Sequence, residues 1–368
     1  MTAGFVTFRP NRLAAGEALY LWSAAGDGAA ALVLLVWAVV LSASVLALPG
    51  RLRSAITGLG PCILVPALLL LAGQVAARTA QEVGLIARVS FGAGIWIPLF
   101  ALPALFADTF QRDLKSRPLL GTAALLSAAV ILYGFASGGM EHLSIVKEYS
   151  NREARFLGEL RTHLALSGSA VGLATLGGVP LGALTHRWAR LRAPAFFTLN
   201  TLQTIPSLAL FGILIPLLGA LTARFPALAE LGVRGIGTAP ALIALTVYSL
   251  LPIARNTYTG FCAVDPAAVD AGRGMGMTRT QLLLQVELPI ASPIILNGIR
   301  VAMVQTIGLT AVAALIGAGG FGVFIFQGLG QAASDLILLG AIPTVLIAVV
   351  ADGFLSGIIG MSRPRGLR

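Results

Sequence analysis

The chain is 368 residues long, 57% hydrophobic and only 11% charged, with a mean hydropathy of +0.89. Soluble domains carry about 25% charged residues, so a soluble globular fold is excluded. The formal charge of +10 does not mark a nucleic-acid surface, because the arginines sit in short segments between apolar runs, where they set membrane orientation.

In chain order, the apolar runs predict nine spans, near 29–48, 58–77, 85–107, 118–138, 164–185, 195–219, 238–257, 289–316 and 335–360. Each approaches the roughly 20 residues that a helix needs to cross about 30 Å of hydrocarbon. None alternates as an outer-membrane strand does, so the expected fold is an all-α polytopic membrane protein. The first run is long enough to be a span and follows a polar lead, unlike a cleavable signal peptide. Arg187, Arg190 and Arg192, then Arg255, Arg273 and Arg279, then Arg363, Arg365 and Arg368 place their segments in the cytoplasm. By parity the linkers with Arg51, Arg53, Arg112, Lys115 and Arg117 are cytoplasmic too. The stretch 317–334, which holds neither Lys nor Arg, faces outside. Segment 139–161 falls outside despite Lys147, Arg152, Arg155 and Arg161, and so does the amino terminus with Arg9 and Arg12. Either this terminus is short enough to translocate, or the natural start lies upstream and a further span precedes this sequence, which would reconcile those two arginines with the rule. The organisation expected is an accessory module of about four spans, 1–160, and a transport core of about five spans, 161–368.

Three segments carry the functional reading. In the sixth span, Gln203, Thr204, Pro206 and Ser207 lie together. Proline removes a backbone donor and clashes with the preceding turn, so the helix kinks or opens there. The polar side chains either line a wet path or bond between helices; Gln305 and Thr306 repeat the theme in the eighth span. The second segment is the loop 263–288. Asp265-Pro266 reads as an N-cap and first helical residue, and Ala267, Ala268, Ala271 and Gly272 give the following helix a narrow face suited to close approach. Asp270 and Arg273 are neighbours on its surface, Gly276 supplies a left-handed exit, and Pro289 opens the next span. The third is Gly317, Gly319, Gly320 and Gly322, an outer segment read as close backbone packing near a gate. It lacks the Lys-Ser/Thr ending of a phosphate cradle.

Arg88, Arg300 and Asp352 fall within or at the ends of spans, where an ionisable group has a partner or a function; Asp352 is a candidate partner for Arg300. Cys62 and Cys262 have no metal or redox spacing, and His142, His163 and His186 form no ligand set.

Asp270-Ala271-Gly272, three residues, Gly276, nine residues, then Val286-Glu287-Leu288-Pro289 resembles the coupling loop of bacterial ABC-importer permeases, with Gly272 where Ala is usual and Val286 where Ile is usual. Together with LQTIPSLALFG, LPIARNTYTG and ALIGAGGFG, the run from about 164 to 360 is similar to permeases of the glycine betaine, choline and carnitine class. RPNRLAAGE and VKEYSNRE extend the likeness to the long-form Yeh-type osmoprotectant permease. The resemblance implies a type I (MetI-like) importer core in a bacterial cytoplasmic membrane, preceded by extra N-terminal spans. It also implies a second permease subunit, a paralogue rather than an identical copy, and an external substrate-binding protein. Two cytoplasmic ATPases would bind ATP and Mg and dock on Asp270, Ala271, Gly272, Arg273, Gly276 and Pro289. No cofactor or metal is expected in this chain, nor an enzymatic activity. The alternative is an ion-gradient-driven secondary transporter, which favours intramembrane carboxylates at the midplane; the chain is poor in these and carries the loop.

Overall fold

The computed structural model describes residues 4–362 apart from 12, 13, 47, 85 and 231; Arg12, Arg363, Arg365 and Arg368 lie outside the described residues. The chain divides into two compact units, Met1–Asn151 and Arg152–Arg368. The division falls before the expected boundary at 160 because one unbroken helix begins at Glu153. Among the described residues nine helical segments are long and apolar enough to span a bilayer.

The first unit contains β1 (Val6–Arg9), β2 (Glu17–Leu19), α1 (Leu21–Ala25), α2 (Asp27–Val45), α3 (Gly50–Val83), β3 (Arg88–Phe91), α4 (Ala93–Arg112), α5 (Arg117–Ala136) and α6 (Ser144–Ser150). The fold is helical as expected, with three short strands added in this unit. They form an antiparallel sheet in the order β2-β1-β3, with Val6 opposite Leu19 on one side and Phe91 on the other. Gly84, at φ +105°, ends α3, so the third span starts at Ala93 and not near 85. Arg88 is therefore on a strand, where it pairs with the buried Glu148 at 3.4 Å. Lys147 donates to the Ala87 carbonyl at 3.0 Å. Burial, and then the charge of Arg88, hold its pKa below the usual lysine value. Val6, Val89, Leu143, Ile95 and Leu102 share one core that joins sheet and helices.

The second unit contains α7 (Glu153–Arg187), α8 (Ala189–Thr204), α9 (Ser207–Arg224), α10 (Pro226–Glu230), α11 (Thr238–Cys262), α12 (Pro266–Gly274), α13 (Arg279–Leu282), a π turn (Leu283–Glu287), α14 (Leu288–Ala313), a 3-10 turn (Ala314–Ile316), α15 (Gly322–Gly330) and α16 (Ser334–Ser362). Helix α11 is the hub, packed chiefly on α7 and α14. Glycines set these contacts. A Cβ on Gly182 would come to 2.5 Å from the Ala254 carbonyl oxygen, and one on Gly298 to 2.8 Å from that of Pro252. Lipid tails are as apolar as leucine, so close backbone approach replaces the hydrophobic drive for helix association.

The expected sixth span, 195–219, is two helices. Pro206 has no N–H to give the preceding turn, and it disfavours the helical conformation for Ile205, which is extended at φ −68° and ψ 125°. Of the two, only α9, from Ser207 to Arg224, is long and apolar enough to cross. The Gly237 N–H donates to the Ile316 carbonyl at 2.9 Å, gathering segment 225–237 and the glycine-rich segment at one end of the unit. The loop between α11 and α14 is at the other.

Candidate functional site

The loop is built by caps at each turn. Asp265 Oδ1 accepts the Ala267 N–H at 2.8 Å, with Pro266 at the first helical position. At the far end of α12, the N–H groups of Met275, Gly276 and Met277 donate to the carbonyls of Ala271, Arg273 and Gly272 at 3.0, 2.9 and 3.1 Å, and Gly276 sits at φ +79°. The left-handed exit read from the sequence is thus in place. A second cap was missed. Thr278 and Gln281 form a capping box, the Thr278 N–H donating to Gln281 Oε1 at 2.8 Å. Its Thr-x-x-Gln signal stands in the sequence.

What α12 presents outward differs in one respect from expectation. Asp270 and Arg273 pair at 3.2 Å with 72% and 66% of their side chains exposed, and Met275 is 73% exposed. Ala267 and Ala271 are exposed beside them. Gly272 is buried and faces inward, since a Cβ there would lie 2.7 Å from Leu282 Cδ1 and 3.2 Å from Met277 Sδ. Gly272 is therefore a packing contact within the loop and not part of the exposed face of α12. Pro289 is exposed in the first turn of α14, which continues from the π turn carrying Val286.

At the break between α8 and α9, Gln203 and Tyr248 bond reciprocally. Gln203 Nε2 donates to the Tyr248 carbonyl at 2.7 Å, and the Tyr248 hydroxyl donates to the carbonyl of Ile205, which the break had left free. Thr204 is exposed and donates to the Thr201 carbonyl. Pro206 is exposed as well, and Ser207 is half-buried at the start of α9. The next residue of α11, Ser249, meets Thr306 of α14 at 2.7 Å, with 1% exposure for each. Thr306 is accordingly a buried helix-to-helix contact, the interhelical alternative of its two readings and not the path-lining one, while Gln305 beside it is exposed. Consecutive residues of α11, Tyr248 and Ser249, thus take Gln203 from one polar segment and Thr306 from the other.

The glycine-rich segment packs on α7. Gly317, Gly319 and Gly320 have φ of +76°, +82° and +83°, and a Cβ on Gly319 would come to 3.0 Å from Thr162 Cγ2. Glu159 Oε2 accepts the Gly320 N–H at 2.7 Å. His163, fully buried, accepts the Phe321 N–H at Nδ1, 3.3 Å away, so its Nε2 carries the proton and donates to the Ile307 carbonyl at 3.1 Å. Gly322 starts α15 against the Ala311 backbone. The close backbone packing read from the glycines is present. Its anchors, Glu159 and His163, were hidden by the sequence distance of about 160 residues.

The candidate pair Arg300 and Asp352 is formed, Nε to Oδ1 at 2.6 Å and Nη2 to Oδ2 at 2.7 Å. Cys62 and Cys262 are free thiols; Cys262 Sγ lies 3.5 Å from His186 Nδ1. Among the described residues, no group of three or more His, Cys, Asp or Glu side chains is placed to hold a metal ion.

Comparison with known proteins accounts for both units. Residues 1–146 match the family described as ABC transporter permease YehY, N-terminal domain. Residues 175–363 match the binding-protein-dependent transport system inner membrane component family. The osmoprotectant import permease protein OsmW of Salmonella typhimurium is 43% identical over 206 residues, 56% of this chain and 91% of that protein. The glycine betaine/carnitine/choline transport system permease protein OpuCD of Bacillus subtilis is 40% identical over 55% of this chain and 82% of its own length. A solved structure of the MetNI methionine ABC transporter, in an inward-facing conformation, aligns over 57% of this chain and 96% of its own, with a TM-score of 0.50 and 21% identity, a likeness of fold alone. With a capped, outward-facing loop helix between two spans and relatives that are permeases over the same region, the chain belongs to the binding-protein-dependent transport system inner membrane component family and is a multi-pass permease subunit of a bacterial inner-membrane ABC importer.

Proposed function

We propose that this permease imports a small osmoprotectant, a quaternary amine such as glycine betaine, delivered by an extracytoplasmic binding protein. Separate cytoplasmic ATPase subunits bind ATP and Mg and drive the cycle by docking at the 263–288 loop. A second permease subunit, a paralogue and not an identical copy, completes the path. The observation that carries the reading is helix α12, held by caps at both ends with Asp270, Arg273 and Met275 turned outward. The functions of the relatives supply the solute class.

Docking needs a rigid, outward-facing element, because a force applied to a frayed loop would be spent on rearranging the loop and not on moving the spans. In this chain Leu282 anchors the element beneath Gly272, and from Arg279 the helix runs without interruption through the π turn into α14. A rotation of α12 thus reaches α14 and, through Ser249 and Thr306, the hub α11. The test is reconstitution of this chain with its paired permease and ATPase in proteoliposomes, with binding protein outside and labelled glycine betaine and choline as probes. Uptake that requires both ATP and binding protein is expected. Uptake driven by an ion gradient without ATP would replace this reading with secondary transport.

A further inference from the structure

The pair Arg300 and Asp352 lies deep. Counting 1.5 Å per residue from Leu288 and from Ser362, the two side chains stand about 15–18 Å from the loop-side ends of α14 and α16, within the hydrocarbon layer. Yet they keep 35% and 39% exposure. Beside them is a cavity of about 520 Å³, with Pro293, Asn297 and Arg300 on the α14 wall and Ser356 and Gly360 on the α16 wall. These positions run from the ion pair towards the loop side.

The surface changes chemistry at the pair. Val345, Val349, Asp352 and Ser356 recur at helical spacing on one stripe of α16. Above the pair the stripe is apolar, with Val345 60% and Val349 62% exposed. Asp352 pairs with Arg300, and below it Ser356, Ile359 and Gly360 face Pro293, Ile294, Asn297 and Arg300 across the cavity, a mixed polar and apolar lining. A half-exposed ion pair, an amide and a hydroxyl against acyl chains would lack the partners that intramembrane polar groups require. Water would supply those partners. By contrast, two of the residues first singled out as path-lining are bonded to another helix: Gln203 to the Tyr248 carbonyl and Thr306 to Ser249.

We propose that the groove between α14 and α16 is a water-filled vestibule on the loop side of the solute path, with the Arg300 and Asp352 pair as its inner rim. This rests on the importer reading above. The rim suits a small zwitterion or quaternary ammonium solute. The Asp352 carboxylate is a counter-charge for an ammonium. The Arg300 guanidinium keeps Nη1 outside the two-pronged contact, free to donate to a solute carboxylate.

The test is thiol labelling of the assembled importer in proteoliposomes, after Cys62 and Cys262 are replaced. Asn297→Cys and Ser356→Cys are expected to react with a charged, lipid-insoluble thiosulfonate without nucleotide, and at least tenfold more slowly with ATP and vanadate trapped. Val350→Cys, on the apolar face of α16 at 69% exposure, is the lipid-facing control and should stay inert in both states. Ile294→Cys, on the same wall, serves if Asn297→Cys does not assemble. Inertness of the groove cysteines in both states, or labelling at one rate in both, overturns the vestibule. Binding-protein-dependent uptake by the parent importer is read in the same vesicles, so its absence would indict the importer reading, and its presence with inert groove cysteines would indict only this inference.

Discussion

Replacing Gly276 with valine isolates the contribution of one backbone conformation to coupling. Gly276 sits at φ +79°, and a Cβ built there has no neighbour within 4 Å, so within this chain the substitution meets no steric clash. Its cost is conformational: the left-handed region costs an L-residue roughly 1–2 kcal/mol, and more for a β-branched side chain. The turn it would strain is held by three backbone hydrogen bonds, from Met275, Gly276 and Met277. A penalty of that size lowers the weight of the docking-competent turn by about 5- to 30-fold. Asparagine tolerates the left-handed region best among side-chain-bearing residues, so coupling should fall in the order Gly, Asn, Ala, Val. The assay is binding-protein-stimulated ATP hydrolysis together with uptake in proteoliposomes, with membrane insertion checked in parallel. The Val variant should insert normally, keep basal hydrolysis by the ATPase and lose the stimulated component. Wild-type stimulation in the Val variant would refute the argument, as would equal losses in Asn and Val.

Glu159→Ala removes the carboxylate that accepts the Gly320 N–H; a hydrogen bond to a charged group contributes about 1.5–3 kcal/mol, so amide exchange over 317–322 should accelerate by about tenfold or more, while unchanged exchange would show that the glycine turns hold themselves. For Ser249 and Thr306, buried and bonded at 2.7 Å, single Ser249→Ala and Thr306→Val changes should each lower thermal stability, and the double change should cost about 0.5–1.5 kcal/mol less than their sum. Strict additivity, or solvent labelling of Thr306→Cys, would return Thr306 to the solute path. At the loop between α4 and α5, Asp113 is held below the usual carboxylate value by the Ser116 hydroxyl, 2.8 Å away, and then by Ser54. Its stabilisation is full above the unfolded value of about 3.9 and is lost as pH falls through the lower folded value. The melting-temperature deficit of Ser116→Ala should therefore be largest near neutral pH and shrink below about pH 4, and a deficit independent of pH would refute the assignment.

Apolar run length alone determined the membrane class and most of the spans, because hydrophobic thickness imposes a minimum on every crossing helix. Local chemistry likewise determined what a few neighbouring residues control. Asp265 with Pro266 started α12, Gly276 ended it, and Pro206 broke the sixth span. Each of these acts through its own φ, its own N–H or a partner within four residues. What only the tertiary structure decided was every pairing across the fold. The strand Arg88–Phe91 sits next to an apolar run and reads as part of it until Val6–Arg9 supplies the partner ladder. Gly272 looks like an outward close-approach residue until Leu282 occupies the space beside it. Thr306 and Gln305 are equally polar in the sequence, and only the position of Ser249 on α11 buries one and leaves the other exposed. Glu159 and His163 become anchors of the glycine turns because α7 passes them, and the Arg300–Asp352 pair, only a candidate in the sequence, forms across 52 residues. A polar group in a membrane must find a partner somewhere, and composition states that need. Which partner meets it depends on helix rotation and crossing, set by glycine contacts such as Gly182 on Ala254 and Gly298 on Pro252.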